Sequence, residues 1–150
     1  MIQFEKIAIY WVNRLSALTR RDLGQRFKAA GYDISPEEWA ILLLLWQMDE
    51  QSPGEMSART VRDPTTMTRL VDGMVRKAIV VRRTDKDDRR RSLICLTKRG
   101  HELQPILTGL AAPMLELCMD GITPHDAEIT VNVLTRMVTN ISQHHRKKGT

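Results

Sequence analysis

Apolar residues recur at helical spacing through most of this chain and alternate at strand spacing in one short stretch only. Near the N-terminus Ile7, Trp11, Leu15 and Leu18 form one stripe of a helix expected over residues 4–30 and ended by Gly31. Further helix starts are marked by caps: Ser35-Pro36-Glu37-Glu38, Ser52-Pro53-Gly54-Glu55, Asp63-Pro64 and Thr123-Pro124-His125-Asp126. In the first two a serine accepts at the cap, proline takes the first helical position, and a glutamate three residues on completes a capping box. The caps predict helices over 36–48, 53–61 and 64–77, with Thr97 opening a fifth and Thr123 a sixth. The fifth carries Leu103, Leu107, Leu110, Met114 and Leu117, and the sixth Ala127, Val131, Leu134, Val138 and Ile141, at alternating steps of four and three. Pro105 and Pro113 are expected to bend the fifth. Residues 79–83 and 92–96 read as two strands of a hairpin. The chain is therefore mainly α with a small β-hairpin.

The 4-3-4-3 seams belong to helices packed nearly parallel. Two of them, with an amphipathic first helix, flank a middle that is already compact. They predict a separate helical layer: a dimer interface through Ile7, Trp11, Leu110, Leu117, Val131, Leu134, Val138 and Ile141, with an intramolecular bundle as the alternative.

Composition narrows the classes. The 150 residues suffice for one domain with a genuine core. The most apolar run, "AILLLLW" over residues 40–46, is far shorter than a membrane span, so no membrane partner is expected. The opening "MIQFEKIAIYW" has an early acid and no small-residue cleavage site, so a cytoplasmic chain is expected rather than a secreted one. Cys95 and Cys118 sit in apolar surroundings and read as buried thiols. No convergent catalytic constellation stands out, the tail histidines His144 and His145 lack ligand spacing, and neither an enzyme, a metal nor a cofactor is expected. Net charge is +5, unevenly placed. The hairpin connection "RRTDKDDRRR" (residues 82–91) holds six basic and three acidic side chains, a surplus of +3. The basic end at 146–150 reads as a flexible tail.

The fourth helix decides what that surplus faces. Met67, Leu70, Val71, Met74 and Val75 cluster on one side; Thr65, Arg69, Asp72 and Arg76 lie opposite. Hydroxyls and backbone N–H groups at a helix N-terminus suit phosphate oxygens, and an arginine one turn on reaches a base edge or a phosphate. A short helix, a turn at Val61-Arg62-Asp63, a second helix and a basic hairpin together make the order of a winged helix-turn-helix. In that fold the second helix enters the major groove and the hairpin tip reaches the flanking minor groove. Thr65, Thr66, Thr68, Arg69 and Arg76 are the expected DNA contacts on the helix.

The stretch over residues 63–103 resembles the MarR family of winged-helix regulators. Its pattern is present as Asp63-Pro64, Thr65-Thr66-Met67-Thr68-Arg69, Val81-Arg82-Arg83, Asp88-Arg89-Arg90 and Leu96-Thr97-Lys98-Arg99-Gly100. The resemblance implies that Asp88 steadies the wing and that Arg90 inserts into the minor groove, with Arg89 and Arg91 as phosphate contacts or alternatives. Arg82, Lys86 and Asp87 read equally well as solvated loop. The resemblance also implies a single MarR-type domain over 1–150. Residues 32–100 would be the DNA-binding lobe, and 1–31 with 101–145 the N- and C-terminal dimerisation helices. It implies a sequence-specific regulator of transcription, a homodimeric repressor on a pseudo-palindromic site in double-stranded DNA. A small anionic aromatic ligand would lodge where the two lobes meet, near Tyr10, Trp11 and Trp39, though Trp39 with Trp46 reads more simply as core. The rival is a winged-helix adaptor that binds protein without specific DNA binding. Two departures stand out. Ala78-Ile79 replaces the glycine that usually ends the recognition helix, and Thr60-Val61-Arg62 replaces a small residue between apolar ones. The latter either reshapes the turn or gives Arg62 a phosphate to contact.

Overall fold

The computed structural model describes residues 3–148, as six α-helices and one antiparallel hairpin. The chain opens with a single 3-10 turn, Phe4–Lys6, and Ile7 is extended (φ −103°), so α1 runs Ala8–Ala29 rather than from residue 4. The indole N–H of Trp11 donates to the Glu5 carbonyl at 2.9 Å, where a continuous helix would place a backbone N–H. The far end of α1 closes in a Schellman turn. Gly31 takes φ 84°, its N–H donates to the Lys28 carbonyl at 3.0 Å, and that of Tyr32 to Phe27 at 2.8 Å.

Both expected capping boxes form. Ser35 opens α2 (Pro36–Gln47) and Ser52 opens α3 (Pro53–Thr60), each in reciprocal hydrogen bonds with the glutamate three residues on. Asp63 caps α4 (Pro64–Arg76). Strands β1 (Val80–Thr84) and β2 (Ser92–Leu96) pair antiparallel, Val80 opposite Leu96. The first strand begins one residue later than expected because the Ile79 N–H still donates to Met74, completing the turn that ends α4. Gln51 adds a one-residue bridge to Ile94 on β2. Its buried carboxamide donates to the Leu44 carbonyl at 2.9 Å, so it also satisfies the C-terminal end of α2. Neither role shows in the sequence pattern.

The core joins Phe27 of α1, Trp39, Ile41, Leu42 and Leu45 of α2, Met56 of α3, Met67, Val71 and Met74 of α4, and Ile94 of β2. Trp39 packs between Phe27 (tilted) and Trp46 (edge to face), with ring centroids 5.3 and 5.5 Å away. It is therefore a core residue rather than a pocket wall. Val75, expected on the buried face of α4, lies exposed instead.

The Leu96-Thr97-x-x-Gly100 stretch proves to be a packing device. The Thr97 hydroxyl accepts from the Gly100 N–H at 3.1 Å and so caps α5 (Lys98–Met119), while it donates to the Ala78 carbonyl at 2.7 Å. A Cβ on Gly100 would stand 2.3 Å from the Ile79 carbonyl oxygen, so only glycine lets α5 approach the end of α4 this closely. Trp46 Nε1 donates to the Gly100 carbonyl at 2.9 Å. Helix α5 continues through both Pro105 and Pro113.

Contacts divide the chain after Met114. The first unit thus includes α1 and most of α5 with the winged helix, because Leu23 and Phe27 of α1 and Leu103, Leu107 and Ala111 of α5 are buried in it. The second unit holds the end of α5 and α6 (Pro124–Lys148), separated by a turn with Gly121 at φ 74°. Thr123 caps α6, accepting from the Asp126 N–H at 3.1 Å. Residues 146–148, expected in a loose tail, continue this helix; 149 and 150 lie outside the described residues.

Candidate nucleic-acid interface

Helix α4 presents the expected polar face. Thr65, Thr68 and Arg69 are exposed in its first two turns, with Met67 and Val71 fully buried behind them. The Asp63 carboxylate accepts from the Thr66 N–H at 2.9 Å and from its hydroxyl at 2.6 Å. Those bonds, the hydroxyl's first, hold the Asp63 carboxyl below its usual range. The Thr66 hydroxyl proton is thereby committed to the cap, unlike those of Thr65 and Thr68. Arg76 is exposed but sits in the last turn of α4, 76 − 65 = 11 residues from Thr65. That is about 16 Å along the axis. The preceding turn is reshaped: Val61 adopts the left-handed conformation (φ 52°) and is 88% exposed. Arg62, expected either to signal that or to reach a phosphate, has a buried Nε without a hydrogen-bond partner among the described residues.

The wing is braced at two points. Arg82 on β1 pairs with Asp72 of α4 at 2.5 Å, and Arg91 pairs with Glu55 of α3 at 3.0 Å and Asp85 at 3.4 Å. Hydrogen bonds from Ser52, then the Arg91 charge, hold the Glu55 carboxyl below its usual range. Arg91, expected on phosphate, therefore braces the wing. Asp88 turns the loop through its backbone neighbours: its carboxylate accepts from the Arg90 N–H at 2.9 Å and its carbonyl from the Arg91 N–H at 2.9 Å. Of the acids in the wing loop itself, Asp85 is the one in an ion pair with an arginine. Of the six wing cations two are thus paired; Arg83, Lys86, Arg89 and Arg90 project with no ion-pair partner among the described residues. Arg89 and Arg90 stand at the tip.

A third brace was not legible in the sequence. Lys77, just past α4, donates to both carboxylate oxygens of Glu38 at 2.9 Å and to the Asp33 carbonyl at 2.8 Å. Glu38 is only 5% exposed. The partners are 39 and 44 positions apart, beyond any local pattern.

The other expected site residues are scattered. Tyr10 and Trp11 meet edge to face at 5.1 Å near the start of α1, while Trp39 lies in the core. Ile7, Trp11, Leu15 and Leu18 are 40–56% exposed, an apolar stripe with no cover within the first unit. Leu117, Val131, Val138 and Ile141 are also exposed, and Leu110 and Leu134 half-buried. The Cys95 thiol is buried in β2 and its pKa is raised, first by burial and then by Asp49 and Glu50, which suits packing rather than redox chemistry. No single helix among the described residues is long and apolar enough to cross a membrane.

Residues 34–92 match the model of the MarR family. The chain is 26% identical over 120 residues to the HTH-type transcriptional regulator YdgJ of Bacillus subtilis, covering 80% of this chain and 73% of that one. It is 28% identical over 116 residues to the HTH-type transcriptional repressor YetL of the same organism, covering 75% and 69%. Among solved structures, a MarR-family transcriptional regulator from Silicibacter pomeroyi superposes with a TM-score of 0.79 at 26% identity, covering 93% of both chains. The MepR–DNA complex of S. aureus matches with a TM-score of 0.79 at 22% identity over 91% of this chain and 98% of that one. CouR from Rhodococcus jostii RHA1, bound to p-coumaroyl-CoA, matches at 0.77 and 20% over 94% and 95%. The last two likenesses are of fold.

Proposed function

We propose that this chain, whose residues 34–92 match the MarR family model, is a DNA-binding transcriptional regulator of that family rather than an enzyme, and that it is a homodimeric repressor of transcription in the cytoplasm. Residues 32–100 are its DNA-binding lobe, and residues 1–31 with 101–145 its dimerisation helices. The observation that carries the reading is the sorting of the basic side chains. Arg82 and Arg91 brace the wing in ion pairs, whereas Arg69 on α4 and Arg89 and Arg90 at the wing tip lie exposed with no ion-pair partner among the described residues. In this reading Thr65, Thr68 and Arg69 read the major groove, Arg90 enters the minor groove, and Arg89 holds phosphate. Thr66 contributes through the cap, and Arg76, at the far end of α4, reaches flanking phosphate at most. A two-fold dimer favours a pseudo-palindromic site with half-sites about one helical turn, roughly 34 Å, apart. The exposed apolar stripes of α1 and α6 supply the dimer contact. Release by a small anionic aromatic ligand is supported only by analogy with CouR and its acyl-CoA, and Tyr10 and Trp11 are its nearest candidates.

The test is fluorescence anisotropy on DNA from upstream of the protein's own gene and on scrambled DNA, at two salt concentrations. The expected result is at least about a hundredfold preference for the native fragment with a steep salt slope. Arg69→Ala should change which sequences are preferred. Equal weak binding to both DNAs would favour the adaptor reading, which needs neither the threonine–arginine face nor the unpaired wing tip.

A further inference from the structure

We infer that Lys77, Glu38 and Asp33 form a positioning node that fixes the orientation of the recognition helix α4, and so sets its sequence discrimination. The inference rests on the proposal that α4 reads DNA. Three elements converge on the Lys77 ammonium: the loop after α1 through the Asp33 carbonyl at 2.8 Å and carboxylate at 3.3 Å, the first turn of α2 through both Glu38 oxygens at 2.9 Å, and the end of α4 itself. Glu38 is held from its other side, since its carboxylate also accepts from the Ser35 N–H at 2.8 Å. The node therefore ties the capping box of α2 to the C-terminus of α4.

Its energetics point to orientation rather than stability. Burying the Glu38 carboxylate carries a desolvation cost, and its attraction to the part-buried Lys77 ammonium roughly offsets that cost only when the geometry is good. An apolar pair of similar volume would hold the fold as well, but it would not fix direction. The rest of α4's attachment is the exposed Arg82–Asp72 pair and apolar packing: Met67, Val71 and Met74 pack against the core, and apolar contacts are non-directional. The lever is long. From Lys77 to Arg69 is 77 − 69 = 8 residues, about 12 Å along the axis, so a tilt of about 10° about the node moves the reading face by roughly 2 Å. A displacement of that size breaks a hydrogen bond to a base edge but leaves long side chains able to reach phosphate.

The experiment uses the full chain with an operator selected from a random-sequence pool. The quantity measured is the ratio of Kd on random DNA to Kd on the selected site, for wild type, Glu38→Gln, Lys77→Met and the double variant, each well below its Tm. Ile41→Val, a core truncation on α2 that leaves the node's charged groups in place, is the control for lost stability alone. Glu38→Gln keeps an acceptor for the Ser35 N–H, and the double variant leaves no buried charge unpaired, so a folded protein remains to be measured. The expected result is a ratio about three- to tenfold lower in both single variants, with Kd on random DNA nearly unchanged. The double variant should be no worse than the poorer single, and Ile41→Val should keep the wild-type ratio. Node variants that lower Tm as Ile41→Val does but keep the wild-type ratio would overturn the inference. Failure of the DNA-reading proposal would look different, because the wild type itself would then select no site, and the inference would fall with it.

Discussion

Ala78 occupies a position where side chains are costly. At φ 55° it is left-handed, and it supplies the turn in which Ile79 donates back to Met74 at 3.0 Å and ends α4. An L-residue there costs about 1–2 kcal/mol relative to its right-handed form. Glycine removes that strain but loses roughly 0.4–1 kcal/mol through its freer unfolded chain. Ala78 is exposed, so no packing is lost on replacement. Ala78→Gly should therefore raise stability by about 0.5–1 kcal/mol, or Tm by roughly 1–4 °C for a chain of this size; thermal unfolding by circular dichroism measures it, and an unchanged or lower Tm would show that the strain is absent. At this scale the sequence was half legible. The missing glycine is plain in Ala78-Ile79, but that alanine keeps the left-handed turn is not. Contacts such as Lys77–Glu38 depend on the fold bringing together positions that carry no mutual signal.

Among elements, the helices that begin with caps were legible because a cap is a local hydrogen-bond problem solved by two or three neighbouring residues. The start of α1 was not: periodicity ran through Ile7, but Ile7 is extended and the Trp11 indole takes the Glu5 carbonyl across the break. The wing's charge was legible, but its division of labour was not, since Arg90 and Arg91 look alike until Glu55 is seen beside one of them. That division gives a contrast to measure. Arg90→Ala should weaken binding on every sequence and reduce the salt slope by about one ion. Arg91→Ala, by freeing the wing from α3, should raise hydrogen exchange across residues 84–92, which Arg90→Ala leaves unchanged; equal protection in the two variants would remove the bracing role. The cap of α4 adds a pH dependence. Because Asp63 and Glu55 are held below their usual ranges when folded, the unfolded chain binds more protons in the acid region, and stability rises with pH there. Their contribution is full above the unfolded values, about 4, and is lost as pH falls through the lower folded ones. Asp63→Asn keeps a capping acceptor without the titration. Its Tm should fall less than that of wild type between pH 5 and pH 3, and parallel curves would assign the acid sensitivity elsewhere.

At the scale of the molecule, the 4-3-4-3 spacing predicted two apolar seams; that of α5 is largely buried through Leu103, Leu107 and Met114, and that of α6 lies largely exposed. What the spacing could not supply is the boundary between units. Leu23 and Phe27 bury the second half of α1 in the first unit, so one helix serves the core at one end and an open apolar stripe at the other. In the proposed dimer that stripe and the α6 seam are covered by the partner. Val138, 61% exposed, gives a cleaner probe than the half-buried Leu134, because a charge there costs the protomer's own fold little. Val138→Glu should halve the mass measured by light scattering while leaving the helical circular dichroism intact; an unchanged mass would exclude α6 from the interface. The same variant tests how dimerisation serves DNA reading. Two linked lobes bind a pseudo-palindrome with the second engagement effectively intramolecular. A monomer must therefore lose affinity for the full site far more than for a single half-site, and its salt slope on the full site should fall toward half, as the phosphates contacted by one lobe drop out.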